Sequence, residues 1–124
     1  MPDTPRHGPI TGQCHCGGVR ITIPRTPEYI NECNCSLCAK LGGRFCYFGV
    51  DEVTIEAAPG ATAGYVRADL GEETYLSTHH CTTCGTLTHW SPLPGRAIDT
   101  MGVNVRVFGE EEMAGVEVRK VGWD

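Results

Sequence analysis

No stretch of this sequence approaches the roughly 20 consecutive apolar residues that a membrane-spanning helix needs, and residues 1–13 hold no apolar run at all. Neither a signal peptide nor a membrane anchor is expected there. The default compartment is then a reducing cytoplasm. Positive charge is also scarce: 10 Lys and Arg stand against 15 Asp and Glu, for a formal net charge of −5. Phosphate backbones are held by clustered Lys and Arg, so a nucleic-acid partner is disfavoured. Strong helix-favouring stretches are few and aromatic residues make up only 7% of the chain.

What is abundant is turn-forming and sulfur-bearing. The 124 residues include 16 glycines, 8 prolines and 8 cysteines. Short β-branched runs between glycines predict strands joined by tight turns, and the length suits one domain with a core of its own. Residues 1–11 read as a loose Pro-rich arm and residues 12–124 as the folded domain. Val19 to Ile23 alternates apolar and polar and predicts a strand ending at Pro24. Cys33 to Leu41 predicts a loop running into a helical turn, stopped by Gly42 and Gly43. Phe45 to Val50 and Val53 to Ile55 read as strands, Ala57 to Gly64 as a turn region, and Tyr65 with Val66 as the start of another strand. Thr74 to Thr78 and Thr86 to Trp90 read as strands flanking a knuckle. Ser91 to Gly95 reads as a loop, the alternation Val103, Val105, Val107 places a strand within Ala97 to Phe108, and Val116 to Val121 alternates again. Glu110 to Glu112 reads as a solvated acidic turn.

The cysteines fall into three groups and one singleton. Cys81-Thr82-Thr83-Cys84-Gly85 has the form of a metal knuckle: two thiolates three residues apart can meet one ion at about 2.3 Å. The glycine lets the backbone turn so that amides face the sulfurs. Cys14-His15-Cys16-Gly17-Gly18 offers the same device with shorter spacing. Together they supply the four ligands of a closed tetrahedral site, expected to clamp the two ends of the sheet. Cys33, Cys35 and Cys38 lie within six residues and can aim at one point. That leaves a second ion with three protein ligands and an open position, the pattern that separates catalytic from structural zinc. The expected cofactor is therefore zinc, two ions per chain, with the three-ligand site the less completely filled. Three alternatives remain: disulfides, for which eight cysteines allow 105 pairings, or scattered buried thiols; an iron–sulfur cluster, for which the triplet lacks a matching fourth cysteine; and a second structural zinc closed by Cys46 or a histidine. Cys46, in the apolar run Phe45 to Phe48, reads first as a buried core thiol.

These motifs resemble the signature of the glutathione-dependent formaldehyde-activating enzyme family: Gly12-x-Cys14-x-Cys16-Gly17-x-Val19, then Cys33-x-Cys35-Ser36-x-Cys38, then Cys81-x-x-Cys84-Gly85. The similarity runs from about Gly12 to Phe108 and includes Val103 to Arg106. The resemblance implies a mainly β fold, a single domain of stacked antiparallel sheets around two zinc–thiolate sites. It implies a structural zinc on Cys14, Cys16, Cys81 and Cys84, and a catalytic zinc on Cys33, Cys35 and Cys38. It also implies a carbon–sulfur lyase whose partner is a small thiol or thiol–aldehyde adduct such as S-hydroxymethylglutathione. His80 stands where relatives often carry an aromatic residue, and no basic cluster is evident to grip two carboxylates, although Lys40 and Arg44 lie near the triplet.

His79, His80 and His89 are candidate acid–base groups or a fourth ligand, set against a purely structural place beside the knuckle. His15 should point away from the metal of its neighbours. Trp90 and Tyr47 either line a pocket or belong to the core. The competing function class is a zinc-stabilised binding or scaffold module without catalysis, which requires a fourth protein ligand at the triplet. The enzyme reading instead calls for a water or exogenous ligand there and a pocket beside Cys38 and Lys40.

Overall fold

The computed structural model describes residues 8–69, 71 and 74–120. Among the described residues, ten strands and one short α-helix run in the order β1 (Ile10–Gln13), β2 (Val19–Ile23), β3 (Tyr29–Asn31), α1 (Ser36–Leu41), β4 (Phe45–Gly49), β5 (Thr54–Ala57), β6 (Thr62–Val66), β7 (Leu76–Cys81), β8 (Leu87–Pro92), β9 (Thr100–Asn104) and β10 (Glu117–Arg119). They form a three-stranded sheet, β1-β2-β5, and a seven-stranded sheet, β10-β3-β4-β9-β8-β7-β6. Every pairing is antiparallel except β10 with β3, which is parallel. The fold is mainly β, as expected.

The core lies where one face of the small sheet meets one face of the large one. Val19, Ile21 and Ile23, alternate residues of β2, are each fully buried and pack with Cys46, Phe48, Met101 and Val103 of β4 and β9. Cys46 is thus the core thiol the sequence suggested, and burial pushes its thiol up to about 12. Strand alternation sends Phe45 and Tyr47 to the opposite face of the large sheet. There Tyr47 packs against Tyr29 and Trp90, each with ring centroids 6.0 Å away.

Several boundaries differ from expectation. Ile10 and Thr11, assigned to the arm, belong to β1: Ile10 is buried and pairs with Ile23. Residues 1–7 lie outside the described residues, as does Val121 of the last alternation. The supposed turn at 57–64 contains most of β6, an edge strand whose Ala-Gly composition hides its pairing; Gly64 sits opposite His79. β8 runs on to Pro92, into the expected Pro-rich loop. The valine alternation is split. β9 stops at Asn104, and Val105–Val107 form a 3₁₀ turn with Val105 and Val107 both buried. A tight turn satisfies the same apolar spacing because both valines still reach the core. Asn104 fixes the break: its side-chain oxygen accepts from the amides of Arg44 and Arg106, and its Nδ2 donates to the Leu87 carbonyl. β3, three residues long, had no visible signal in the sequence, whereas β10 falls within the alternation noted from Val116.

Candidate metal centres

Cys14 follows β1, while Cys81 ends β7 and Cys84 sits in the turn to β8. The first knuckle therefore hangs from the small sheet and the second from the large one. The sulfurs of Cys14, Cys16, Cys81 and Cys84 all lie within 4.8 Å of one another. Cys14 Sγ to Cys16 Sγ is 3.7 Å and Cys16 Sγ to Cys81 Sγ is 3.6 Å. A tetrahedral ion with metal–sulfur bonds of about 2.3 Å requires sulfur–sulfur edges of about 3.8 Å, whereas a disulfide needs about 2.05 Å. All eight cysteines are free thiols. The expectation that these ligands come from two ends of one sheet is corrected: the sulfurs are contributed from two different sheets.

The local backbone explains the convergence. Gly17 and Gly85 adopt φ of 82° and 78°, in the left-handed region open to glycine. Each knuckle can then fold its amides back on its sulfurs. Gly18 N–H donates to Cys16 Sγ (3.4 Å), Val19 N–H to Cys14 Sγ (3.3 Å), and Thr83 and Cys84 N–H to Cys81 Sγ (3.4 and 3.5 Å). The Thr86 hydroxyl stands 3.1 Å from Cys84 Sγ. That hydroxyl, then the amides of Thr86 and Cys16, bring the Cys84 thiol down to about 5. The Cys84 and Thr83 amides likewise hold Cys81 low. At Cys16 the Gly18 amide lowers the thiol, but hydrogen bonds with the Cys81 and Cys14 thiols raise it further, to about 11. Three or four crowded thiols cannot all shed their protons without a cation to offset the charge.

The second cluster is Cys33, Cys35 and Cys38, again within 4.8 Å of one another, between β3 and β4. Cys35 is also the N-cap of α1: its Sγ accepts from the Cys38 amide at 3.4 Å. The helix ends at a left-handed Gly42, whose N–H donates to the Cys38 carbonyl at 2.9 Å. Cys33 and Cys35 are each 8% exposed and Cys38 is half-buried. Burial raises Cys33 and Cys38, while at Cys35 burial is outweighed by the amides and thiols facing it and the thiol is lowered. Among the described residues no fourth Cys, His, Asp or Glu joins this group.

Tyr47 and Tyr75 stand within electrostatic reach of the triplet. Burial first, then the nearby thiols, raises both phenols, Tyr47 to about 12. Asn31 Nδ2 donates to the Tyr47 hydroxyl at 2.7 Å. Two ion pairs flank the cluster. Arg44 Nε bonds Glu32, the neighbour of Cys33, at 2.6 Å. Arg67 Nη2 donates to the Ser36 hydroxyl at 3.1 Å, while its fork holds the Asp69 carboxylate at 3.0 and 2.6 Å. Arg67, Tyr75 and Thr86 carried no signal in the sequence, because nothing in local spacing brings residues 67, 75 and 86 to these loops. Lys40 is exposed at the end of α1.

Among the described residues no histidine joins either thiol cluster. His79 and His89 stack on each other at 4.5 Å, with rings nearly parallel. His79 Nε2 stands 2.9 Å from the hydroxyls of both Ser77 and Ser91, and His89 Nδ1 stands 2.9 Å from the Thr88 hydroxyl. Burial, then the neighbouring imidazole, lowers both, His89 to about 4. His80 and His15 are exposed. A cavity of about 70 Å³ opens beside Tyr47, between Arg25, Pro27, Glu28, Tyr29 and Phe48.

No helix among the described residues is long and apolar enough to cross a membrane. A search of curated proteins found no match. A solved structure, a protein of Rhodobacter sphaeroides, is 21% identical and superposes with a TM-score of 0.67 over 89% of this chain and all of its own, so the two share a fold. The profile described as glutathione-dependent formaldehyde-activating enzyme matches residues 9–118, a span that contains both cysteine clusters, and the chain therefore belongs to that family.

Proposed function

We propose that this chain is a zinc-dependent enzyme of carbon–sulfur lyase type that joins or releases a small thiol and an aldehyde, S-hydroxymethylglutathione being the adduct its family suggests. In this reading Cys14, Cys16, Cys81 and Cys84 hold a structural zinc and Cys33, Cys35 and Cys38 hold a catalytic one. The observation that carries it is the incomplete second cluster: three converging thiols, with no fourth protein ligand among the described residues. The all-sulfur donor sets suit zinc, which takes thiolates in tetrahedral geometry. When bound at the triplet, zinc supplies Lewis acidity that favours the thiolate of an incoming thiol and polarises a carbonyl.

The chain's own groups then have defined tasks. The α1 cap fixes Cys35 relative to Cys38, and Cys33 precedes them on the same loop, so these three thiols would hold the ion. Tyr47, whose phenol stays protonated near neutral pH and accepts from Asn31, keeps its own proton for donation to an oxygen at the site. In the addition one S–C bond forms, the carbonyl π bond opens, and the thiol proton ends on the new hydroxyl; release runs the same steps backwards. Neither direction needs an oxidant.

Metal content and sulfur coordination, measured by X-ray absorption with and without glutathione, test this reading. Two zinc ions per chain are expected, one with four protein sulfurs and one with three plus an exchangeable ligand that becomes a fourth sulfur when glutathione is added. A fourth protein ligand at the triplet, unmoved by glutathione, favours the scaffold module and overturns the enzyme. Formaldehyde consumption with glutathione at the protein's expense of no other reagent is the matching activity assay.

A further inference from the structure

We infer that β6 is the docking edge for a second copy of this chain, the two β6 strands pairing antiparallel about Gly64. A strand at the end of a sheet presents a row of unpaired N–H and C=O groups, which proteins defend with charge, proline, a bulge or a cover. Among the described residues the seven-stranded sheet ends at β10 on one side and at β6 on the other. β10 is three residues long and carries Glu117 and Arg119. β6, Thr62-Ala63-Gly64-Tyr65-Val66, has neither charge nor proline. It carries no bulge either, since its register with β7 runs unbroken from Thr62 opposite Cys81 to Val66 opposite Ser77. Tyr65 and Val66 are 50% and 44% exposed, the two most exposed large apolar side chains among the described residues.

The backbone direction makes this edge self-complementary. The Thr82 amide donates to the Ala61 carbonyl at 2.8 Å, which fixes the phase of the ladder between β6 and β7. Backbone groups alternate sides along a strand. Ala61, Ala63 and Tyr65 therefore bond toward β7, while Thr62, Gly64 and Val66 point their N–H and C=O groups outward. Under a two-fold axis, Gly64 lies opposite the partner's Gly64 and Thr62 opposite the partner's Val66. Each outward amide then meets an outward carbonyl. Tyr65 falls opposite the partner's Ala63, where a lone methyl leaves room for the ring. It also lies diagonal to the partner's Tyr65, about 7–8 Å away and within reach of an aromatic side chain. The centre of the contact is glycine, so no side chain stands there to clash. β10 is charged and does not match this edge, so the geometry favours a closed pair over an open head-to-tail chain.

The test combines sedimentation velocity of the purified full chain with amide hydrogen exchange followed by NMR, zinc content being measured on each sample. As protein concentration rises, the mass should double from one chain to two. Exchange at the Thr62, Gly64 and Val66 amides should slow in step with it. Tyr65→Lys removes the ring and sets like charges diagonally across the contact, so it should weaken association about tenfold. Val66→Lys, at the end of the strand, should weaken it about threefold. Both side chains are exposed, so circular dichroism and zinc content should match the wild type. A monomer at every concentration would overturn the inference, as would a dimer whose Thr62, Gly64 and Val66 amides exchange at the monomer's rate. Wild-type association retained by both variants would overturn it too. If a variant loses its fold or its zinc, the exchange rates of the wild-type protein decide by themselves.

Discussion

The two cysteine clusters use the same side chain for different ends. The four-thiol cluster draws its ligands from both sheets, 65 residues apart along the chain at Cys16 and Cys81. Amides of Gly18, Val19, Thr83 and Cys84 and the Thr86 hydroxyl face its sulfurs. The three-thiol cluster is local, built within one loop and the first turn of α1, and lies against phenols and charged side chains instead. A site that joins distant elements contributes its binding free energy to folding, whereas a site contained in one loop can be emptied with little change elsewhere. In the proposed reading the first holds the two sheets together and the second exchanges a ligand.

The comparison breaks most sharply at Cys84. Cys84→Ser opens the cluster that joins the sheets. Structural zinc binding is worth about 10–16 kcal/mol in small domains, comparable to a whole domain's stability of about 5–15 kcal/mol. Loss of cooperative unfolding by circular dichroism is therefore expected, and a melting curve like that of the wild type would show that the sheets hold without this site.

Acid comes next. His89 is 6% exposed, and burial brings it to about 4 from an ordinary value of 6.5. Its folded-state value is depressed, so the unfolded chain binds the proton first as pH falls. Stability is full above about 6.5 and is lost progressively down to about 4, by roughly 3 kcal/mol. His89→Gln should flatten that part of the stability–pH curve relative to wild type, leaving the decline due to His79 and to thiolate protonation at both clusters. A curve with unchanged slope would assign the acid sensitivity to the sulfurs and to His79, which burial also lowers.

Cys38→Ser sharpens the contrast from the other side. The second metal should be lost while the melting temperature falls by only a few degrees, the shift that about 1 kcal/mol produces in a domain of this size. Unfolding on this substitution would make the triplet structural too. The smallest effect is expected at the surface: Arg44→Gln removes a pair with both side chains about one-third exposed, so stability should change by less than about 1 kcal/mol and metal content not at all. Loss of the second metal there would show that the Arg44–Glu32 pair shapes the triplet loop.

Legibility followed the range of the interaction. β2 was readable because Val19, Ile21 and Ile23 alternate with polar neighbours and one face is buried. α1 was readable from its glycine stop at Gly42. β3 was not, since a three-residue strand takes its stability from partners the sequence does not name. β6 hid behind alanine and glycine, and the end of β9 depended on Asn104 finding Arg44, Leu87 and Arg106.

The sequence by itself determined which sulfurs could form knuckles, because ligands two to five residues apart share a loop and their geometry is local. Only the tertiary structure decided that the sulfurs of the first cluster come from two sheets, that His79 and His89 stack with each other, that Arg67 reaches Ser36, and that Tyr75 lies near the triplet. Those contacts depend on how strands pair and sheets stack, and such pairing is set by the packing of the whole core and not by any short run of residues.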